Sequence, residues 1–400
     1  MVDQADVARV FREEYGRAVA VLVRLLGDIV LAEEVVQEAF EAAVRRWPER
    51  GLPPSPAGWI VTTARNRAID RHRRESTRDD RQAEASRLHI PEEPLEEGAV
   101  RDDRLRLIFT CCHPSLGTSA QVALTLRLLG GLTTAEIARL FLVPEPTVAQ
   151  RLVRAKNKIR KARIPYRVPQ DADLPDRLHA VLAVLYLIFT EGHTATSGGA
   201  LVRSDLCAEA IRLARQLAEL MPDEPEALGL LALMLLVESR RAARTAPDGS
   251  LVPLAEQDRS RWDDDLAEQG RDLVRRCLRR DRPGPYQVQA AIQAVHSETP
   301  TDWRQVVALY DHLLALTPTP MVALNRAIAV GEVDGPGAAL VLVDGLRTAL
   351  GDHHLFHATR AELLRRLGRA DEAATAYADA ADRTRNAVER DFLDRRRGEL

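Results

Sequence analysis

The chain has 400 residues, of which 46% are hydrophobic and 29% charged, which suits roughly two or three globular domains with apolar cores. Aromatic residues make up only 4% and alternating β-branched runs are scarce, so the composition favours an all-α fold. We expect neither a membrane span nor an export signal, because long apolar runs are missing. The four cysteines form no disulfide framework, which favours a soluble protein of the reducing cytoplasm.

Residues 1–75 are predicted to form three helices. The first ends near Gly27 and carries its apolar residues on one face. They are Val7, Val10, Phe11, Tyr15, Ala18, Val19, Leu22 and Leu25. The second starts at Asp28 and runs to Trp47-Pro48, and after the loop GLPPSP, Ser55 is expected to cap a third helix that begins at Pro56.

The third predicted helix is basic and begins with an aromatic residue. Trp59 lies near its start, followed by Arg65, Asn66, Arg67, Arg71, Arg73 and Arg74. Such a helix suits melted or single-stranded DNA, although a solvated arginine face has the same pattern. Residues 76–116 follow as a polar linker, partly extended and acidic in its second half.

Residues 117–167 predict a helix-turn-helix. Thr133 and Glu136 have the spacing of a capping box, Pro144 marks the turn, and Pro146 opens a second helix. The buried stripe of that helix is predicted to be Val148, Leu152, Ala155 and Ile159. The other face carries Thr147, Gln150, Arg151, Arg154, Lys158 and Lys161.

This segment is strongly basic although the whole chain carries a net charge of −3. It holds ten basic and two acidic side chains, and all three lysines of the chain lie in it. Local charge governs contact with phosphates, and a helix-turn-helix places such a face in the major groove. An ordinary helical hairpin with a solvated face is the alternative.

Residues 168–400 predict a tetratricopeptide-like helical repeat domain. Ala361, Gly368, Ala373, Tyr377 and Ala380 have tetratricopeptide spacing. Ala210, Pro222 and Ala232 match a second unit, and Tyr310 with Pro318 a third. Stacked helix pairs would share one core, and an unrelated helical bundle is the alternative.

Two segments together resemble one family. DIVLAEEVVQEAF with WIVTTARNRAIDRHRR resembles region 2 of extracytoplasmic-function sigma factors of the sigma-70 family, and GGLTTAEIARLFLVPEPTVAQRLVRAKNKI resembles their region 4. The long extension, with LIFTEGHTATSG and ALNRAIAVGEVDGP, looks like group 42, whose members carry a C-terminal tetratricopeptide-like domain. The resemblance implies a non-enzymatic factor, without cofactor or metal, that binds core RNA polymerase and promoter DNA.

The resemblance also implies a role for each set of residues. Contact with the polymerase β′ clamp helices would involve Asp28, Glu33, Glu34 and Gln37. The melted −10 element would be handled by Trp59, Arg65, Asn66, Arg73 and Arg74. The −35 element would be read by Thr147, Gln150, Arg151, Arg154 and Lys158. The acidic linker would pass through the polymerase channel, where its charge would mimic nucleic acid, and the β subunit would be a further polymerase partner.

One residue departs from the family pattern. Ala149 stands where many relatives carry a longer polar or basic side chain. Base readout is therefore expected to depend more on Gln150 and Arg154 than in typical members.

Two other classes of function stay open on the residues alone. A polymerase-independent helix-turn-helix regulator would use the C-terminal part as a sensory helical domain. In the sigma-factor interpretation the same part would modulate activity, either by packing on the sigma domains or by binding an unknown regulator. A repeat-based scaffold with an incidental DNA module is the second.

Three small clusters are predicted to be structural. Cys111-Cys112-His113 and the pair His353 and His357 each lack the further ligands that a zinc site needs. Glu191-Gly192-His193 is expected in a loop and has no nucleophile at fixed spacing.

Overall fold

The computed structural model describes residues 4–75, 97–141, 143–170, 172–194 and 202–400. Across these residues the secondary structure is helical, and pairing of extended backbone is limited to the bridge between Thr245 and Leu251. The all-α fold predicted from the sequence is therefore confirmed. The chain divides into two compact units, residues 1–185 and 186–400.

Seven helices lie wholly within the described part of the first unit: α1 (Gln4–Leu26), α2 (Ile29–Arg50), α3 (Pro56–Glu75), α4 (Glu97–Cys111), α5 (Thr118–Leu124), α6 (Thr134–Leu140) and α7 (Glu145–Lys161). A π-helical turn, Thr125–Leu129, continues α5. The next helix, α8 (Leu174–His193), contains the boundary between the units.

Local signals place the first three helices where the sequence predicted them. The Asp28 carboxylate accepts the backbone N–H groups of Val30 (2.7 Å) and Leu31 (3.2 Å), and the Ser55 hydroxyl accepts that of Gly58 (3.2 Å). The second helix continues past Pro48 to Arg50, beyond its predicted end. Proline has no backbone N–H, so Pro48 removes one backbone hydrogen bond from the last turn of the helix, where the loss of stability is small.

The structure differs from the prediction across the linker. Residues 76–96 lie outside the described part, but Glu97–Cys111 is helical rather than extended. Asp103 in α4 is fully buried, and its carboxylate accepts hydrogen bonds from Arg24 (2.7 Å) and Arg106 (3.1 Å). The Arg24–Asp103 pair joins α4 to α1, whereas the Arg106–Asp103 pair lies within α4. The polar composition of the segment gives no sign of this long-range contact.

The second unit continues with paired helices. They are α9 (Ser204–Leu220), α10 (Pro225–Glu238), α11 (Asp264–Leu278), α12 (Pro285–His296), α13 (Trp303–Leu316), α14 (Pro320–Val333), α15 (Pro336–Gly345), α16 (Arg347–Leu350), α17 (His354–Arg366), α18 (Ala370–Arg383) and α19 (Ala387–Gly398). Neighbouring helices along the chain pack against each other, α17 with α18 and α10 with α11 among them.

Small residues lie where paired helices touch. Ala361, Ala373 and Ala380 are buried between α17 and α18, and Gly368 takes a positive φ of 73° in the turn that joins these helices. Tyr377 is buried in the same cluster. This packing agrees with the repeat spacing predicted for residues 361–380.

The boundary between the units lies later than the predicted start of the repeat domain at residue 168. The first part of α8 belongs to the first unit. There, Arg177 donates a hydrogen bond to the Phe109 carbonyl oxygen at 2.5 Å. Glu191-Gly192-His193 forms the last turn of α8, so the loop predicted there is wrong.

Candidate nucleic-acid interface

The helix-turn-helix is formed by α6 and α7. The Glu136 carboxylate accepts the Thr133 backbone N–H at 2.7 Å, and the Thr133 hydroxyl accepts the Glu136 backbone N–H at 3.1 Å. This reciprocal pair is the capping box predicted from the sequence, and it starts α6 at Thr134. Pro144 caps the start of α7 with extended backbone angles. Local chemistry alone therefore defines both helix starts.

The two faces of α7 are those expected of a recognition helix. Val148, Leu152, Ala155 and Ile159 are buried. Gln150, Arg154 and Lys158 are exposed, whereas Thr147 and Arg151 are half-buried. Among the described residues, the Arg154 guanidinium bonds only to its own helix, at the Gln150 carbonyl oxygen (3.4 Å). Within the described part of the chain, no carboxylate forms an ion pair with Arg151, Arg154 or Lys158, so these charges can face phosphates.

The third helix carries the residues predicted to act on opened DNA. Trp59 is half-buried and packs edge-on against Trp47, with ring centroids 5.5 Å apart. Asn66 is exposed, and Arg65 is half-buried. Arg73 and Arg74 lie in the last turn of α3, and their side chains are outside the described part. Trp59, Arg65 and Asn66 thus belong to one helix near a fixed aromatic pair.

Acids on α2 neutralise part of the basic face of α3. Arg67 donates to Glu38 at 2.9 Å, and Arg71 donates to Glu34 at 2.5 Å and Glu38 at 2.6 Å. The family resemblance implies a polymerase contact for Glu34 and assigns no role to Glu38, Arg67 or Arg71. The sequence signal for this contact is the short loop between α2 and α3, which makes the two helices antiparallel neighbours.

The residues predicted to contact polymerase occupy different environments. Asp28 is half-buried and caps α2, Glu34 is exposed, and Gln37 is half-buried. Glu33 is only 4% exposed. Only part of this set is therefore accessible in the structure.

Glu33 is the centre of an ion-pair cluster that joins α2 to the helix-turn-helix segment. Its carboxylate accepts a hydrogen bond from Arg127 at 2.6 Å and another from Lys156 of α7. All three side chains are at most 15% exposed. Arg127 and Lys156 belong to the basic residues predicted to face phosphates, but the structure turns both side chains inward. One signal could have identified Lys156: it lies about two and a half turns from Thr147 along α7, which puts the two residues on opposite faces of the helix.

The clusters weighed as metal sites have ordinary structural roles. The four cysteines are reduced and buried, and burial raises the pKa of Cys112 to about 12. His353 caps α17, and the His357 ring lies 2.7 Å from the Gly351 carbonyl oxygen. Among the described residues, no three potential ligands gather at one point.

Comparison with known proteins identifies both DNA-facing segments. Residues 10–78 match sigma-70 region 2, and residues 106–159 match sigma-70 region 4. The ECF RNA polymerase sigma factor SigK of Mycobacterium tuberculosis is 27% identical over 40% of this chain and 86% of its own length. The probable ECF RNA polymerase sigma factor SigI of the same organism is 27% identical over 41% of this chain, which spans 58% of that relative.

The chain belongs to the extracytoplasmic-function branch of the sigma-70 family. An uncharacterised protein of Rhizobium meliloti (strain 1021) is 42% identical over 94% of this chain and 92% of its own length. Residues 177–278 match a family of unknown function, DUF6596. No solved structure matches the chain.

The chain is therefore an alternative sigma factor. Its family implies binding to core RNA polymerase and promoter DNA. Region 2 covers α1 to α3, and region 4 covers part of α4 through most of α7. No helix in the described part of this sigma factor is both long and apolar enough to span a membrane.

Proposed function

We propose that this sigma factor divides promoter recognition between α7 and α3 and catalyses no reaction itself. Thr147, Gln150, Arg151, Arg154 and Lys158 would contact the −35 duplex. The observation that carries this assignment is the exposed basic face of α7, held by a buried apolar stripe and a capped preceding helix. Arginine and glutamine there can bond base edges, while lysine holds phosphates.

We propose that α3 acts on the −10 element after strand separation. Asn66 is exposed and polar, so it can bond the edge of an unstacked base. Trp59 offers an aromatic ring on the same helix as Asn66. Arg65, Arg73 and Arg74 would bind the DNA backbone. Because both helices would contact one promoter, neither needs a high affinity for DNA by itself.

We propose that Asp28, Glu34 and Gln37 make the first contact with the β′ clamp helices. Glu33 is also assigned to this surface, but its carboxylate is held by Arg127 and Lys156. Contact of Glu33 with polymerase would therefore require this cluster to open.

We propose that the second unit modulates initiation, and that the chain belongs to group 42 within its family. The support is the separate compact unit of helix pairs that follows region 4. A chain that stops after residue 194 keeps all of α8 and tests this role. If its first unit still melts cooperatively and its promoter output equals that of the full chain, the second unit has no regulatory role.

Reconstitution tests the promoter assignment. Purified protein, core polymerase and genomic DNA fragments are scored for run-off transcripts and for core binding. Absence of both would refute the function in initiation. A polymerase-independent regulator would instead bind a palindromic site tightly without polymerase.

Single substitutions test the division between the two helices. Arg154→Glu should weaken −35 duplex binding, whereas Asn66→Ala should impair strand opening with −35 binding unchanged. Arg160→Glu is the matched control, because Arg160 is exposed on α7 but bonds to Asn157, away from the proposed reading face. Equal duplex-binding defects in the Arg154 and Asn66 variants would contradict the division.

A further inference from the structure

The second unit contains a partly open cavity of about 250 Å³. Side chains from α8, α10, α12, α13 and α14 line it, together with Arg240 from the turn after α10. Phe189, Leu233 and Ile292 contribute apolar walls, and Gln293 and Asn325 contribute neutral polar groups. An apolar cavity of ~150 Å³ accepts benzene, so this one has room for a single ring with a polar substituent.

Arg240 is the charged group of this cavity. Its guanidinium donates a hydrogen bond to the Gln293 side-chain oxygen at 2.5 Å and lies 5.7 Å from the centroid of the Trp262 ring. Burial, reinforced by the positive charges of Arg244 and Arg259, lowers the pKa of Arg240 to about 10, so the side chain stays charged at neutral pH. Within the described part of the chain, no carboxylate forms an ion pair with it. Residues 195–201, which follow α8, have the sequence ATSGGAL and contain no acid.

Arg240 is half-buried and its polar contacts are neutral, so it loses part of its hydration without gaining an opposite charge, which is costly for a fold. A guanidinium has five N–H donors in a fork that matches a carboxylate. The neighbouring cations are engaged elsewhere: Arg244 donates to the His193 carbonyl and the Thr194 hydroxyl, and Arg259 donates to the carbonyl of Glu298. Arg240 is therefore the cation placed to bind an anion in the cavity.

His193 adds a neutral polar group to the same wall. Burial, followed by the charges of Arg244 and Arg240, lowers the pKa of its ring to about 2. Its Nδ1 is buried and makes no hydrogen bond to any described residue. Among the described residues that line the cavity, Arg240 thus supplies the single charge at neutral pH, which matches one negative charge on a ligand.

We propose that this cavity binds a small organic monocarboxylate, with its carboxylate on Arg240 and its apolar body against Phe189, Leu233 and Ile292. A phosphate dianion would bring a second negative charge without a second cation and would leave the apolar walls unused. The binding is a property of the second unit and does not depend on the proposed promoter contacts.

Calorimetric titration of the full chain tests the proposal with benzoate, its neutral isostere benzamide, hexanoate and inorganic phosphate. We expect benzoate or hexanoate to bind at least about tenfold more tightly than benzamide or phosphate, as a charge-assisted pair predicts. Tighter binding of phosphate, equal binding of benzoate and benzamide, or no carboxylate binding up to about 10 mM would each overturn it.

Variants locate the site. Arg240→Gln should weaken carboxylate binding about 10- to 100-fold, whereas Arg240→Lys keeps the charge and should retain most of it. Arg241→Gln is the matched control, since the adjacent Arg241 side chain is 48% exposed and paired with Glu238. A cooperative melting transition shows that each variant is folded. If Arg240→Gln does not fold, the proposal rests on Arg240→Lys and on Ile292→Trp, which should block the cavity and abolish binding. Unchanged binding in any folded Gln or Trp variant would refute the proposed position.

Discussion

Replacement of Glu33 by glutamine isolates the ion-pair cluster that joins α2 to the helix-turn-helix segment. Glutamine keeps the size of the side chain but removes its charge. Arg127 and Lys156 would then face each other at 12% and 15% side-chain exposure, without the carboxylate that both contact. Removing one partner from a buried ion pair typically costs about 3–5 kcal/mol, because a charge is left buried and unpaired.

The expected loss is large enough to measure by calorimetry of the full chain. For a unit of this size each kcal/mol lowers the melting temperature by roughly 2–4 °C. We therefore expect the transition of the first unit to fall by roughly 6–20 °C in the Glu33→Gln variant. Glu34→Gln is the matched control, because Glu34 is adjacent, 50% exposed and paired with Arg71 at the surface. Its effect should stay below about 1 kcal/mol.

A double-mutant cycle separates the ion pair from other effects of the substitution. Lys156→Met removes one of the two cations, so the double variant with Glu33→Gln should lose less stability than the sum of the single losses. We expect a coupling free energy of at least about 1 kcal/mol. Additive losses within about 0.5 kcal/mol, or equal melting temperatures for the Glu33 and Glu34 variants, would refute the reasoning.

Three further predictions concern other parts of the chain. Burial, reinforced by Arg240 and Arg259, lowers the pKa of His296 from 6.5 to about 4, so the stability that this neutral ring contributes is complete above pH 6.5 and falls by about 3 kcal/mol as the pH drops towards 4. His296→Phe should flatten the decline of melting temperature over this range, and parallel curves would contradict the assignment. A Cβ at Gly229 would lie 2.7 Å from the backbone nitrogen and 2.9 Å from the Cα of Gln287 in α12, so Gly229→Ala should cost about 1–3 kcal/mol in chemical denaturation; an unchanged midpoint would show that the helices can separate. Lys158→Gln should reduce by about one the slope of log affinity for −35 duplex against log salt, and an unchanged slope would place Lys158 away from phosphate.

The sequence by itself determined the elements whose signals are local. Ser55, Asp28 and the Thr133–Glu136 pair bond backbone groups within three residues, so the helix starts could be predicted from the chain. The buried stripe of α7 follows from the helical period alone. These features also placed the exposed residues of the candidate −35 face, because the face left outside is the remainder of the same helix.

Only the tertiary structure decided which charges remain available. Lys156 and Glu33 are 123 residues apart in the sequence. The helical period puts Lys156 on another side of α7 from Lys158, which stays exposed, but it does not show that a distant carboxylate pairs with Lys156. The same holds for Asp103, which lies in a helix where a linker was predicted and pairs with Arg24, 79 residues away. The position of Arg240 in a cavity formed by five helices is likewise a product of packing. The sequence identifies which side chains are charged. The partner and the hydration of each charge, and hence its role, depend on which distant side chains the fold brings to it.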